Sequence, residues 1–123
     1  MSEFFLVRDD GFHPDDGADP VVLAPDTDPA TLGDYLDHDL IAVDFPSMTD
    51  GRGFTLARLL REKGYQGRLR AVGGLIADQY AMARRVGFDE VRISAALAAR
   101  QPQDQWLFRA DWQNWDHRSR LVG

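Results

Sequence analysis

The chain contains no cysteine. That absence alone excludes disulfides, thiolate nucleophiles, iron–sulfur ligation by this chain and a zinc site built on sulfur. Histidine is scarce as well. His13, His38 and His117 are scattered, with no short His-x-x-x-His spacing, so they read as surface or capping residues and no metal site is expected. Lysine occurs once, at Lys63, and the other thirteen cations are arginine. Guanidinium suits oxyanions, although a codon bias would leave the same excess. No apolar run approaches the ~18 residues that a membrane span needs. The opening "MSEFFLVRDDG" carries an acid at position 3 and makes a poor secretory signal, so a cytoplasmic protein without a membrane partner is expected.

Basic residues are nearly missing from the first 50 positions, which hold 13 acidic side chains and 1 basic one. Residues 51–123 hold 7 acidic and 13 basic, and the whole chain carries −6. A net acidic chain is ill suited to general nucleic-acid binding, so no nucleic-acid partner is expected. Within 52–70, Arg52, Arg58, Arg61, Lys63, Arg68 and Arg70 face Glu62 alone. This basic surface fits a small anion or an acidic partner. The plainer reading is that the acidic front half packs against the basic half.

What is present is an ordinary globular composition, 44% hydrophobic and 28% charged, over 123 residues. A chain of this length forms one domain and buries roughly two-thirds of its unfolded surface. "EFFLVR", "VVLA", "LIAVDFP", "GRLRAVGG" and "DEVRIS" read as strands, and "DDGFHPDDGADP" reads as turn and loop. A short helix is expected after Asp28 as N-cap with Pro29 at its first position. A second is expected over about 54–63 with Leu56, Leu59 and Leu60 inward and Gly64 at its end, and a third with Ile76, Tyr80 and Ala83 inward and Gly87 closing it. "AALAAR" adds a short last helix before Pro102. Strand and helix alternate at spacings near 20 residues, the signature of repeated βα units on a mostly parallel sheet. The expected fold is α/β, an open three-layer sandwich with helices on both faces, a half-barrel-like βα array being the alternative. Residues 1–123 form a single domain on this reading, with a tryptophan-rich extension over 101–123. In that extension Phe108, Trp112 and Trp115 fit one helical face. The stretch from Trp106 to Trp115 docks on the protein's own core or makes a homo-oligomer interface.

The stretch "DFPSMTDGRGFTLARLL" carries the one corner with evident chemistry. In open α/β sheets ligands bind beyond the carboxyl ends of the strands, so the loops over 44–53 and 73–79 are expected to converge there. Gly51 and Gly53 permit close approach to the main chain, the following helix start offers unpaired N–H groups, and Arg52 adds a forked cation. Asp44, Asp50, Gly51, Arg52, Gly53, Asp78 and Gln79 are therefore the candidate ligand-binding residues for a small anion. Asp50 and Asp78 are the candidate proton-transfer groups if there is catalysis. Arg52 pairing with Asp44, Asp50 or Asp78 is the structural alternative. "GRGFTL" has Leu56 where a dinucleotide fingerprint needs its third glycine, and neither a phosphate loop with Gly-Lys-Ser/Thr nor a serine elbow occurs. No cofactor is expected.

The run from Asp44-Phe45-Pro46 through Asp50-Gly51-Arg52-Gly53, Ala57-Arg58, Leu60-Arg61, Gly64-Tyr65, Leu69-Arg70-Ala71, Gly73, Asp78-Gln79 and Gly87-Phe88-Asp89 resembles a family of small bacterial proteins with a domain of unknown function. Its members are commonly labelled "oxidoreductase probably involved in sulfite reduction". The resemblance covers about 20–100 and departs from the family pattern at Gly74, where an acid is usual, and at Ala77, where a base is usual. It implies a role beside assimilatory sulfite or nitrite reductase, with that reductase as partner. Two functions follow as expectations. One is an accessory protein that binds a sulfur oxyanion or the reductase; the other is a small enzyme acting on an anionic metabolite, with a non-catalytic interaction module as the remaining choice.

Overall fold

A computed structural model describes residues 3–110. Six strands form one open sheet in the order β2-β1-β6-β5-β4-β3. They are β1 Phe4–Arg8, β2 Gly11–Pro14, β3 Val21–Leu23, β4 Leu40–Phe45, β5 Arg68–Gly73 and β6 Glu90–Ser94. From β3 to β6 all neighbours are parallel, while β1 runs antiparallel to both β6 and β2. The class expected from the sequence, α/β on an open and mostly parallel sheet, is the class observed.

Local chemistry sets the helices. Asp28 caps a 3-10 helix, Pro29–Tyr35, by accepting from the N–H of Ala30 at 3.0 Å. Helix α1, Arg52–Glu62, begins two residues earlier than its apolar stripe suggested and ends at Lys63, with Gly64 at φ 98°. A short 3-10 turn, Ala77–Gln79, leads into α2, Tyr80–Val86, which Gly87 closes at φ 116°. Ser94 caps α3, Ala95–Arg100, and α4, Gln103–Arg109, follows.

Consecutive strands β3, β4, β5 and β6 are also neighbours in space, so each right-handed crossover lands on the same side of the sheet. The core accordingly lies on one face. Val7, Ile41, Val43, Phe45, Leu69, Ala71, Val91 and Ile93 from the sheet pack with Leu32, Leu56, Leu60, Tyr80, Ala83 and Trp106 in one cluster. Helices were expected on both faces; this unidirectional strand order gathers them on one, as in the half-barrel arrangement.

The opposite face is covered by chain without regular structure. Strands β2 and β3 sit at opposite edges, five spacings of about 4.8 Å apart, roughly 24 Å. Seven peptide steps from Pro14 to Val21 reach little more than that at ~3.6 Å each, so this strap crosses the sheet with little slack. Beneath it lies a charge cluster. Arg70 and Glu90, 1% and 2% exposed, pair at 2.6 Å, and Asp16 of the strap accepts from Arg68 at 2.9 Å and from Arg70 at 3.0 Å. The acidic front half does pack on the basic half. Asp9 meets Arg84, Asp15 meets Arg92, and Asp16 meets Arg68 and Arg70.

One expectation needs correcting. Residues 9–20 read as turn and loop, yet Gly11–Pro14 is an edge strand in a hairpin with β1. Its four residues carry a single large apolar side chain, Phe12, which stacks on Phe5 at 5.8 Å. That is too little alternation to register as a strand.

Candidate functional site

The adjacent carboxyl ends of β4 and β5 bring the loops over 44–53 and 73–79 together, as the topology requires. Gly74 donates its N–H to the Phe45 carbonyl at 2.7 Å, and Gln79 Nε2 donates to the Met48 carbonyl at 2.7 Å. Gln79 Oε1 also accepts from the N–H of Ile76 at 3.1 Å, so its side chain fastens one loop to the other.

At the start of α1 the chain supplies its own anion. Asp50 Oδ1 accepts from the backbone N–H and the Nε of Arg52, at 3.1 and 3.0 Å, while Oδ2 accepts from Nη2 at 2.7 Å. The bidentate bond to Arg52 holds the Asp50 carboxyl below the usual carboxylate range and raises Arg52 in turn. The Arg52 side chain is 59% exposed. The two flanking glycines differ. A Cβ on Gly53 would meet the Phe45 ring at 2.4 Å, so its bareness serves the docking of α1 on β4; Gly51, the N-cap, meets nothing within 4 Å.

Asp78 is exposed and pairs with Arg109 at 3.0 Å beside a shallow hollow that includes Asp104, Gln105 and Phe108. In α4 Trp106 is buried edge-on against Tyr80, whereas Phe108 is exposed. Trp112 and Trp115 lie outside the described residues.

Asp44 belongs to another cavity. With Phe4, Val72, Gly73, Arg92 and Ser94 it lines a crevice of about 220 Å³ at the carboxyl ends of the parallel strands. Asp44, Val72 and Arg92 stand side by side in register on the strap face. The Arg92 guanidinium lies 3.7 Å from the centre of the Phe4 ring, and its Nη2 donates to Asp15 at 3.2 Å. Its Nε is buried and has no hydrogen-bond partner among the described residues. An orphaned buried donor is rare and costs about 1–3 kcal/mol, and a guanidinium is a natural seat for an oxyanion. Ser94 Oγ accepts from the N–H of Leu97 and keeps a hydroxyl proton to donate.

Of the residues singled out in the sequence, Asp44 reaches this crevice beside Gly73, while Asp50, Arg52 and Asp78 are engaged in ion pairs elsewhere. Arg92 and Ser94 were missed. Their signal was the alternation in "EVRIS", which places Glu90, Arg92 and Ser94 on one face of a strand whose last turns end at the ligand side of the sheet.

A wider hollow of about 700 Å³ at the opposite, amino ends of the strands involves Asp39, Arg61, Arg68, Arg84 and Asp89. There Arg61 donates to the carbonyls of Tyr65, Gly67 and Gly87 and to Asp89. Four of its five N–H donors are thus spent on holding loops of the protein itself.

The sequence profile of one known family matches residues 20–117. The chain belongs to the bacterial proteins of unknown function, DUF934. The match takes in β3 to β6 and helices α1 to α4 and leaves out the β1–β2 hairpin. It carries Asp44, Val72, Gly73, Arg92 and Ser94, while Phe4 and Asp15 precede it. Comparison with curated proteins and with solved structures gives no significant match.

Proposed function

We propose that this protein is an accessory binding protein of assimilatory sulfite reduction, which holds a small sulfur oxyanion in the crevice at Arg92 and acts beside the reductase. One observation carries the anion: the buried Nε of Arg92, beside the crevice at the carboxyl ends of the strands, has no partner among the described residues. The sulfur connection comes from the resemblance of the run from Asp44 to Asp89 to proteins labelled for sulfite reduction. Phe4 and Val72 supply apolar walls, and Ser94 a neutral donor.

A thermal-shift panel of sulfite, sulfate and phosphate tests the site. A ligand at 100 times its dissociation constant should add about 2.7 kcal/mol of stability. Arg92→Gln should remove the shift, and Arg52→Ala should leave it. The reverse pattern would return the site to the start of α1. Association with sulfite reductase is read by co-purification from lysate, and a deletion strain that grows normally on sulfate would count against that role.

A second reading, an enzyme acting on an anionic metabolite, draws on the state of Asp44. This carboxylate accepts no hydrogen bond from the described residues and is the one base among those of them that line the crevice. Turnover that survives Asp44→Asn would remove it as the base.

A further inference from the structure

The crevice has two ends of opposite charge that do not meet. Asp44 and Arg92 stand two strands apart, about 10 Å between Cα atoms, with β5 between them. Val72 and Gly73 line the interval and bring no polar side chain into it. At one end the Asp44 carboxylate leans over Gly73, where an added Cβ would come within 3.3 Å of its Oδ1. At the other, Arg92 is pressed on Phe4 and shares one nitrogen with Asp15, while Nε has no partner among the described residues. A simple oxyanion answers only half of this arrangement, since it satisfies Arg92 and is repelled by Asp44. A ligand with an anion at one end and an ammonium at the other answers both.

We infer that the crevice takes a small dipolar metabolite, an ω-amino sulfonate, sulfinate or carboxylate, with its anion on Arg92 and its ammonium on Asp44. The inference rests on the oxyanion reading above and narrows it to a chemical class. Size points the same way. A volume of about 220 Å³ matches some seven waters at ~30 Å³ each, room for a chain of two or three carbons and too little for a nucleotide. The apolar middle, Val72 and the bare main chain at Gly73, suits the methylenes that separate the two charges.

Calorimetric titration of the full chain with taurine, 3-aminopropanesulfonate, methanesulfonate and ethylammonium separates the cases. At least one aminosulfonate should bind about tenfold or more tightly than either half-ligand, the factor expected when a charge-assisted hydrogen bond is added. Asp44→Asn should abolish that advantage and leave methanesulfonate bound as tightly or more tightly, since a repelling charge is gone. Arg92→Gln should abolish binding of both anions, with circular dichroism confirming the fold; if that variant does not fold, the partly exposed Asp44→Asn still decides. Aminosulfonates that bind no better than methanesulfonate, or that ignore Asp44→Asn, overturn the dipolar inference and leave the oxyanion reading standing. No binding of aminosulfonates, methanesulfonate or sulfite overturns both.

Discussion

Gly51 and Gly53 flank the same arginine and do unlike work. Gly53→Ala forces a methyl into the Phe45 ring, and overpacking of that kind costs about 1–3 kcal/mol. Gly51→Ala meets open space at φ −87° and should leave the urea midpoint unchanged or raise it. Urea unfolding of the two variants checks the contrast, and equal midpoints would refute it. The sequence showed a glycine-rich turn before a helix and could not show which glycine was bare for packing. Ring position is a tertiary fact, set by where β4 delivers Phe45. The same limit hid Arg92. Its place on the strap face follows from strand period, but the pairing of β6 with β1, which brings Phe4 beneath the guanidinium, joins residues almost ninety positions apart. Gly74 shows the matter from the other side. A side chain there would meet Ser47 Cα at 2.8 Å, so an acid could not stand at this position without moving the loop after β4.

Among the elements, those carried by periodicity and caps were legible: the strands β4, β5 and β6, the helix after Asp28, and the glycine ends of α1 and α2. Elements that depend on distant partners were not. Strand β2 exists because β1 is there to pair with it, and the strap is held by charges under it rather than by any pattern of its own. Glu90→Gln should cost about 3 kcal/mol, the lower end of what a broken buried pair loses, because Asp16 still faces Arg70. Replacing both partners, Arg70→Met with Glu90→Leu, should recover most of that loss in the same urea titration; a double variant as weak as the single one would contradict the ion-pair account. Helix α4 hangs on Trp106, whose ring is 1% exposed and whose Nε1 donates to the Gln101 carbonyl at 2.9 Å. Trp106→Ala should cost about 3–5 kcal/mol. Amide exchange should then quicken in α4 and the adjoining turn at Ala77–Gln79 before it does in β5.

Over the whole molecule, the uneven distribution of charge becomes an internal clamp with a pH signature. Burial by itself would raise the Asp16 carboxyl, but bonds from Arg68 and the Ala18 N–H and the charge of Arg70 override it and hold the group well below the usual range. A group depressed in the folded state stabilises fully above its unfolded value near 3.9 and progressively less as pH falls beneath it. Asp16→Asn should therefore weaken the protein at pH 7 and flatten the loss of stability below pH 4. Tyr80 works in the opposite sense. Its desolvation, together with the bond its hydroxyl donates to Asp9 at 2.6 Å, pushes the phenol far above its ordinary value near 10. Stability from it is complete below pH 10 and is lost as pH rises beyond, so Tyr80→Phe should flatten the alkaline limb of a thermal-midpoint profile.

The pairing of Phe4 with Ser94 and of Val7 with Val91 has a bearing on how the chain is made. On a ribosome, the β1–β2 hairpin emerges before the parallel strands, and its neighbour β6 is complete only some 80 residues after Pro14. At roughly 5–20 residues per second that is a wait of about 4–16 seconds. Through that interval the nascent hairpin presents Phe4, Phe5, Leu6 and Val7 to whatever chaperone or stray strand reaches them first.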